Sequence, residues 1–139
     1  MKNWLKQAAV LVLLAILPAL LGAWLNPKRP SWQSDEMTVS AAQSLGTKAI
    51  WVDARPASDF EKAHVSGAIS LNEDAWSEML PPLLDAWSPD KTVVVYCSSL
   101  SCHTSREVAN RLRDEVGLSP VFVLQGGWEA WTQSQKGGR

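Results

Sequence analysis

Residues 92–97 read Thr-Val-Val-Val-Tyr-Cys, a continuous run of β-branched and aromatic side chains. Such a run is typical of a strand that is buried on both faces of a sheet. The sequence Ser-Ser-Leu-Ser-Cys-His follows at residues 98–103, and from about His103 to Val116 apolar residues recur at helical spacing. This stretch therefore predicts a strand, a loop and a helix, with Cys97 at the carboxyl end of the strand.

Weaker strand and helix signals alternate on both sides of this unit. Further strands are predicted at residues 49–53, 68–71 and 121–124. Helices are predicted over residues 38–45, from a capping box at Ser58 and Glu61, from Asn72 to the proline pair at residues 81 and 82, and from Trp128. Strands that alternate with helices form parallel sheets, so the predicted fold class is α/β, a central parallel sheet with helices on both faces.

The N-terminal 25 residues differ from the rest of the chain. From Ala8 to Leu25 there are 18 residues without a charge, close to the minimum for a helix that crosses a bilayer. A membrane anchor over residues 8–25 is therefore predicted, with a cleaved signal segment as the alternative. The predicted organisation is an anchor or signal helix at residues 1–25, a linker at 26–36, a domain at 37–135 and a tail at 136–139.

Charge gives two further expectations about partners and compartment. The 13 basic and 14 acidic residues leave a net charge of −1, which does not favour a nucleic-acid partner. The basic residues on the two sides of the apolar segment slightly favour a cytoplasmic N-terminus. We therefore expect the domain to be membrane-anchored and periplasmic, or extracytoplasmic in an equivalent compartment.

Cys97 is the candidate nucleophile, because ligands of parallel sheets bind beyond the carboxyl ends of the strands. Backbone N–H groups at the start of a helix lack intrahelical partners and favour an anion, here the nucleophilic thiolate. A buried structural cysteine is the alternative. The predicted active-site loop consists of Ser98, Ser99, Leu100, Ser101 and His103.

Four blocks of the sequence resemble the rhodanese superfamily. They are Trp51 to Arg55, residues 60–69 with His64 and Gly67, Val93 to Cys97, and residues 123–131 with Gly126, Gly127 and Trp128. The resemblance implies an α/β sulfurtransferase whose loop cysteine, Cys97, carries sulfane sulfur as a persulfide. It also implies a small sulfur donor and a thiol acceptor as partners, and neither a metal nor an organic cofactor.

The loop departs from the family's pattern, because no Arg stands between Cys97 and Thr104. His103 occupies the position at which phosphatase relatives carry Arg, and one imidazolium cannot hold a phosphate as a bidentate guanidinium does. A phosphatase is therefore disfavoured. Supporting positions outside the loop are assigned to Asp53, Arg55, His64 and Arg106: the first three are expected to stabilise the fold, and Arg106 to be a solvated helix residue.

Cys102 is a second departure and leaves the function open. Its thiol lies five residues after Cys97, so it could resolve a persulfide or form a disulfide in an oxidising compartment. The alternatives to a sulfurtransferase are a thiol–disulfide relay or sensor with a membrane-bound redox partner, and a non-catalytic binding module. A zinc site at Cys97, Cys102, His103 and His64 is disfavoured by its unusual spacing.

Overall fold

The computed structural model describes residue 7, residues 35–98 and residues 102–137, with only the backbone described at Cys102. The chain divides into two compact units, Met1–Gln33 and Ser34–Arg139. The predicted anchor at residues 8–25 and most of the linker at residues 26–36 lie outside the described residues and stay predictions. Within the part of the chain that the structure describes, no helix is both long enough and apolar enough to cross a membrane.

Strands and helices alternate through the described part of the second unit. In chain order they are β1 (Glu36–Met37), α1 (Val39–Ser44), β2 (Ala49–Asp53), α2 (Ala57–Lys62), β3 (Ile69–Ser70), α3 (Trp76–Ala86), β4 (Thr92–Tyr96), α4 (Cys102–Asp114), β5 (Val121–Leu124) and α5 (Gly127–Gly137). The predicted strands at residues 49–53 and 121–124 have the observed bounds, and the strand that precedes Cys97 ends at Tyr96.

The five strands form one sheet in the order β1-β5-β4-β2-β3, and every neighbouring pair is parallel. The strand β4 lies at the centre, where β2 and β5 flank it. Ala49 pairs with Thr92 and Asp53 with Tyr96, so β2 and β4 end side by side. Because all strands run the same way, their carboxyl ends share one edge of the sheet, and Cys97 follows the central strand at that edge.

Helices cover both faces of the sheet, as predicted. On one face, Val93 and Val95 of β4 belong to a core cluster with Leu83 of α3 and with Val108 and Leu112 of α4. The opposite face is covered by α1 and α5. There, Val94 and Tyr96 of β4 form a second cluster with Ala42, and Trp128 and Trp131 pack against it. The α/β fold with a central parallel sheet is therefore confirmed.

The predicted capping box at Ser58 and Glu61 is wrong. The helix α2 begins at Ala57, and Pro56 occupies its N-cap position without a side-chain hydrogen bond. Ser58 therefore already lies inside the helix. Proline suits this end of a helix, because its fixed φ is pre-set there and a first-turn N–H has no intrahelical acceptor.

The predicted interruption at the proline pair is also wrong, because α3 continues through Pro81 and Pro82 to Ala86. A proline removes the donor for the carbonyl four residues earlier, here on Ser77 and Glu78. All four of these residues are exposed, so water can satisfy those carbonyls. The predicted cap is present in a modified form: the Asn72 side chain accepts a hydrogen bond from the N–H of Ala75, 3.2 Å away, just before the helix.

Candidate active site

The alternation of side chains along β4 decides which face Cys97 joins. Val93 and Val95 point to the face that α3 and α4 cover, whereas Val94 and Tyr96 point to the other. Cys97 comes next in this alternation, on the α4 side, and is 3% exposed. The strand thus delivers a nearly buried thiol to the carboxyl edge of the sheet.

Among the described residues, two oxygen atoms lie within hydrogen-bond distance of the Cys97 sulfur. Its Sγ lies 3.0 Å from the carbonyl oxygen of Ser98 and 3.2 Å from Oγ of Ser105. A thiol can donate its single hydrogen to either oxygen. Of these two groups, the Ser105 hydroxyl is the one that can act as a donor to the sulfur once the thiol is ionised. Ser105 is therefore placed to favour the thiolate, the nucleophilic form.

Helical spacing explains why Ser105 reaches the sulfur. In α4, Ser105 precedes Val108, Ala109 and Leu112 by three, four and seven residues, and all four side chains are fully buried. Positions with this spacing share one face of a helix. Ser105 is thus the polar member of the stripe that packs on the sheet, in the turn nearest to Cys97.

The beginning of α5 holds the backbone of Cys97 from the other side. The backbone N–H of Trp128 donates a 2.8 Å hydrogen bond to the carbonyl oxygen of Cys97. Gly127 has φ +55°, and a Cβ at this position would lie 2.2 Å from the same oxygen. Only glycine permits such a close approach of two backbones without a shift. Gly127 and the backbone N–H of Trp128 therefore hold the peptide that follows the nucleophile.

A buried ion pair lies beside this backbone contact. Nη2 of Arg55 is 2.7 Å from Oδ2 of Asp53, and Nε of Arg55 is 3.0 Å from Oδ1. The same Nη2 donates to the carbonyl oxygen of Ala63 at 2.7 Å. Asp53 is fully buried and Arg55 is 5% exposed. This bidentate arrangement ties the end of β2 to the chain that follows α2.

Aromatic rings enclose the guanidinium of Arg55. Its Cζ lies 4.4 Å from the ring centre of Trp128 and 5.7 Å from that of Tyr96. Burial alone would lower the pKa of Arg55, but the hydrogen bond and the attraction to Asp53 raise it above its ordinary value. Burial raises the pKa of Tyr96, and Asp53 raises it further. The arginine is thus charged and the phenol neutral, and the phenol oxygen accepts the N–H of Val65 at 3.1 Å.

The remaining supporting residues lie in surface interactions of their own. His64 is exposed, stacks on Phe60 with ring centres 3.9 Å apart, and places Nδ1 2.8 Å from the Phe60 carbonyl oxygen. Arg106 forms an ion pair with Glu36 of β1. Both side chains therefore lie at the surface, and the parts assigned to them from the sequence stay predictions.

His103 is placed differently from the prediction. The helix α4 begins at Cys102, one residue earlier than expected, so His103 belongs to its first turn and not to the loop. Its side chain is 91% exposed and places Nδ1 3.2 Å from Oε2 of Glu107. This pairing directs the imidazole along the outer surface of the helix, because residues four apart lie on the same helical face.

Apart from Ser98 and His103, the predicted loop lies outside the described residues. Ser98 is half-buried, whereas Ser99, Leu100, Ser101 and the side chain of Cys102 are not described. The parts assigned to these residues from the sequence therefore stay predictions, including the use of Cys102 as a resolving thiol.

Sequence reasoning missed Ser105 and Gly127 as site residues, although each had a signal. Ser105 carries a hydroxyl at a position that continues the apolar stripe of α4. A polar residue on a helical stripe that packs against the carboxyl ends of the strands is a candidate hydrogen-bond partner for a functional side chain at that edge. Gly127 is the second of two adjacent glycines in the turn after β5, where a backbone often requires positive φ.

The described residues form an α/β domain with a central parallel sheet and a buried cysteine at the carboxyl end of its central strand. Comparison with known proteins identifies the family. The family model of the rhodanese-like domain matches residues 38–134. The chain therefore belongs to the rhodanese-like domain family.

One curated protein and two solved structures are similar to this chain. Thiosulfate sulfurtransferase GlpE of Tolumonas auensis is 34% identical over 79 residues, which cover 57% of this chain and 68% of GlpE. A crystal structure of a Bacillus halodurans protein has 22% identity and a TM-score of 0.59, with 72% of each chain covered. A rhodanese-related protein from Thermoplasma volcanium has 14% identity and a TM-score of 0.55, covering 71% of this chain and 91% of its own. At these identities the two solved structures show a shared fold.

Proposed function

We propose that this protein is a sulfurtransferase that carries sulfane sulfur as a persulfide on Cys97 and passes it to a thiol or a similar acceptor. The observation that carries the proposal is the contact between the buried Sγ of Cys97 and the Ser105 hydroxyl, 3.2 Å apart at the carboxyl edge of the sheet. Membership of the rhodanese-like family and the similarity to a thiosulfate sulfurtransferase support it.

The proposed reaction consists of two displacements at sulfur. In the first, the Cys97 thiolate attacks the outer sulfur of the donor, a new S–S bond forms, and the donor's own bond to that sulfur breaks. The electron pair of the broken bond leaves with the donor fragment, which is sulfite when the donor is thiosulfate. In the second, an acceptor thiolate attacks the outer sulfur and releases the Cys97 thiolate. The cysteine ends in its initial oxidation state, so the cycle needs no external oxidant.

The surroundings of Cys97 suit both displacements. The thiolate must form before the first step and must leave in the second, and a hydrogen bond from Ser105 stabilises it in both. The close packing of Gly127 and the hydrogen bond from the Trp128 backbone N–H hold the Cys97 backbone, and with it the sulfur, in place during the exchange. Burial of the thiol limits contact with water and with unrelated thiols.

Intact-mass measurement of the full-length protein tests the proposal. The protein is incubated without reductant with thiosulfate or with glutathione persulfide, and then with cyanide. We expect a gain of one sulfur atom that cyanide removes, absent in Cys97→Ser and present in Cys102→Ser. Retention of the sulfur gain in Cys97→Ser would refute Cys97 as the carrier.

The same experiment separates the two alternative functions. A loss of two hydrogen atoms that reductant reverses, without sulfur gain, indicates a Cys97–Cys102 disulfide and favours the redox relay. An unchanged mass with both donors favours a binding module.

A further inference from the structure

We propose that Arg55 is a positioning residue for Cys97 and acts through the indole ring of Trp128. The inference rests on the proposed function only in taking Cys97 as the working thiol. Arg55 makes no hydrogen bond to Cys97 among the contacts of the described residues, so any effect on the sulfur passes through a neighbour.

The first link is the stack of Arg55 on Trp128. The guanidinium is held in one orientation by three hydrogen bonds to the two carboxylate oxygens of Asp53 and one to the Ala63 carbonyl oxygen. Its Cζ lies 4.4 Å from the centre of the Trp128 ring. A guanidinium fixed in this way presents a flat, charged face that attracts an indole ring. The ring of Trp128 is therefore anchored to the end of β2.

The second link joins Trp128 to Cys97 through the backbone. Because the indole is anchored, the backbone of Trp128 is also held in place. Its backbone N–H donates a hydrogen bond to the Cys97 carbonyl oxygen, 2.8 Å away. Gly127, the preceding residue, meets the same peptide closely enough that an added Cβ would lie 2.2 Å from that oxygen. A displacement of the first turn of α5 therefore moves or releases the peptide that carries the thiol.

Tyr96 closes the arrangement on the other side of the guanidinium. Its ring stacks with that of Trp128 at 6.1 Å between centres, and it directly precedes Cys97 in the chain. Arg55 thus contacts the ring of Tyr96, the residue before the nucleophile. It also contacts the ring of Trp128, whose backbone N–H binds the Cys97 carbonyl oxygen. The ion pair sets the position of Cys97 as well as stabilising the fold.

Alkylation of Cys97 by iodoacetamide tests this positioning. The rate is measured on the full-length protein across a range of pH, by mass spectrometry of the peptide that contains Cys97. In Trp128→Leu, which removes the aromatic face, we expect a rate near neutral pH lower by about threefold, the scale of one cation–π contact. In Trp128→Phe, which keeps an aromatic face, we expect a rate close to that of wild type. Arg55→Lys keeps the charge but not the flat fork, and should resemble Trp128→Leu.

Trp131→Leu is the matched control. Trp131 lies on the same helix and packs on Trp51 with ring centres 4.8 Å apart, so its loss should lower the thermal midpoint without changing alkylation. A rate in Trp128→Leu that equals or exceeds that of wild type, or an equal slowing in Trp131→Leu, would overturn the proposal. A wild-type rate in a folded Arg55→Lys would remove Arg55 from it. Alkylation does not require sulfur transfer, so the two proposals can fail separately. If the protein takes up no sulfur but its variants show the expected alkylation rates, the proposed function is disproved and the positioning role of Arg55 stands.

Discussion

Replacing Ser105 by Ala removes the hydroxyl that lies 3.2 Å from Sγ of Cys97. The side chain is fully buried, so water does not readily replace the lost donor. A hydrogen bond to a charged group contributes roughly 1.5–3 kcal/mol. Sulfur is a weak acceptor, which favours the lower end of this range. We therefore assign about 1.5 kcal/mol of thiolate stabilisation to Ser105, equivalent to a roughly tenfold change in an equilibrium constant.

Two opposing effects determine the expected rate of Cys97 alkylation in Ser105→Ala. Where the thiol form predominates, the thiolate fraction falls about tenfold. The remaining thiolate is more basic and therefore about threefold more nucleophilic, from a Brønsted coefficient of about 0.4–0.5. The net result is a rate about threefold lower at pH values where the thiol predominates, and about threefold higher where both proteins are fully ionised. The two pH profiles should cross.

The assay is iodoacetamide alkylation of Cys97 across pH, followed on the Cys97 peptide, together with sulfur transfer from thiosulfate to cyanide. Ser134→Ala is the control, because the Ser134 hydroxyl donates to the Trp131 carbonyl oxygen within α5 and has no contact with the site. Both variants should unfold within about 1 kcal/mol of wild type, because Ala is a good helix former. Profiles of Ser105→Ala and wild type that coincide at every pH would refute a hydrogen bond from Ser105 to the thiolate.

Three further predictions concern the backbone and the buried groups around the site. Gly127→Ala should abolish sulfur transfer and should lower the free energy of unfolding by more than Gly117→Ala does. A Cβ at Gly127 would lie 2.2 Å from the Cys97 carbonyl oxygen, whereas the space at Gly117 is open. Equal losses of unfolding free energy in urea titrations of the two variants would contradict the contact. Asp53→Ala should destabilise the protein by about 3–5 kcal/mol, because it leaves a buried guanidinium without its partner; a loss below about 1 kcal/mol in denaturant titrations would indicate an exposed pair. Burial raises the pKa of Tyr96, so the stability that the neutral phenol contributes is complete below the ordinary tyrosine pKa of about 10 and is lost as pH rises further. Tyr96→Phe should weaken this alkaline loss of stability in thermal scans. An unchanged loss in this variant would mean that other groups cause it.

Elements with a strong local signal were predicted well. The central strand follows from its run of β-branched residues, and the strands at residues 49–53 and 121–124 have the predicted bounds. The apolar stripe of α4 is buried as its spacing indicates. In each case a few adjacent residues carry the whole signal, because side-chain period and backbone preference are local properties.

Predictions that depended on one short motif were less successful. Ser58 and Glu61 have the spacing of a capping box, yet the helix begins before Ser58, with Pro56 at its N-cap. The proline pair does not end α3, since the prolines and the residues whose carbonyls lose a donor are exposed. Whether a motif acts as a helix boundary depends on what surrounds it, and the surroundings are set by packing.

The sequence by itself determined the α/β class, the family and the placement of Cys97 at the end of the central strand, because these follow from local periodicity and from the order of the blocks. Only the tertiary structure decided that Ser105 meets the sulfur, that Gly127 presses on its peptide and that Arg55 stacks on Trp128. These contacts join elements that are distant along the chain. Their distances are set by how the helices pack on the two faces of the sheet, and no local pattern specifies that packing to within a hydrogen-bond length.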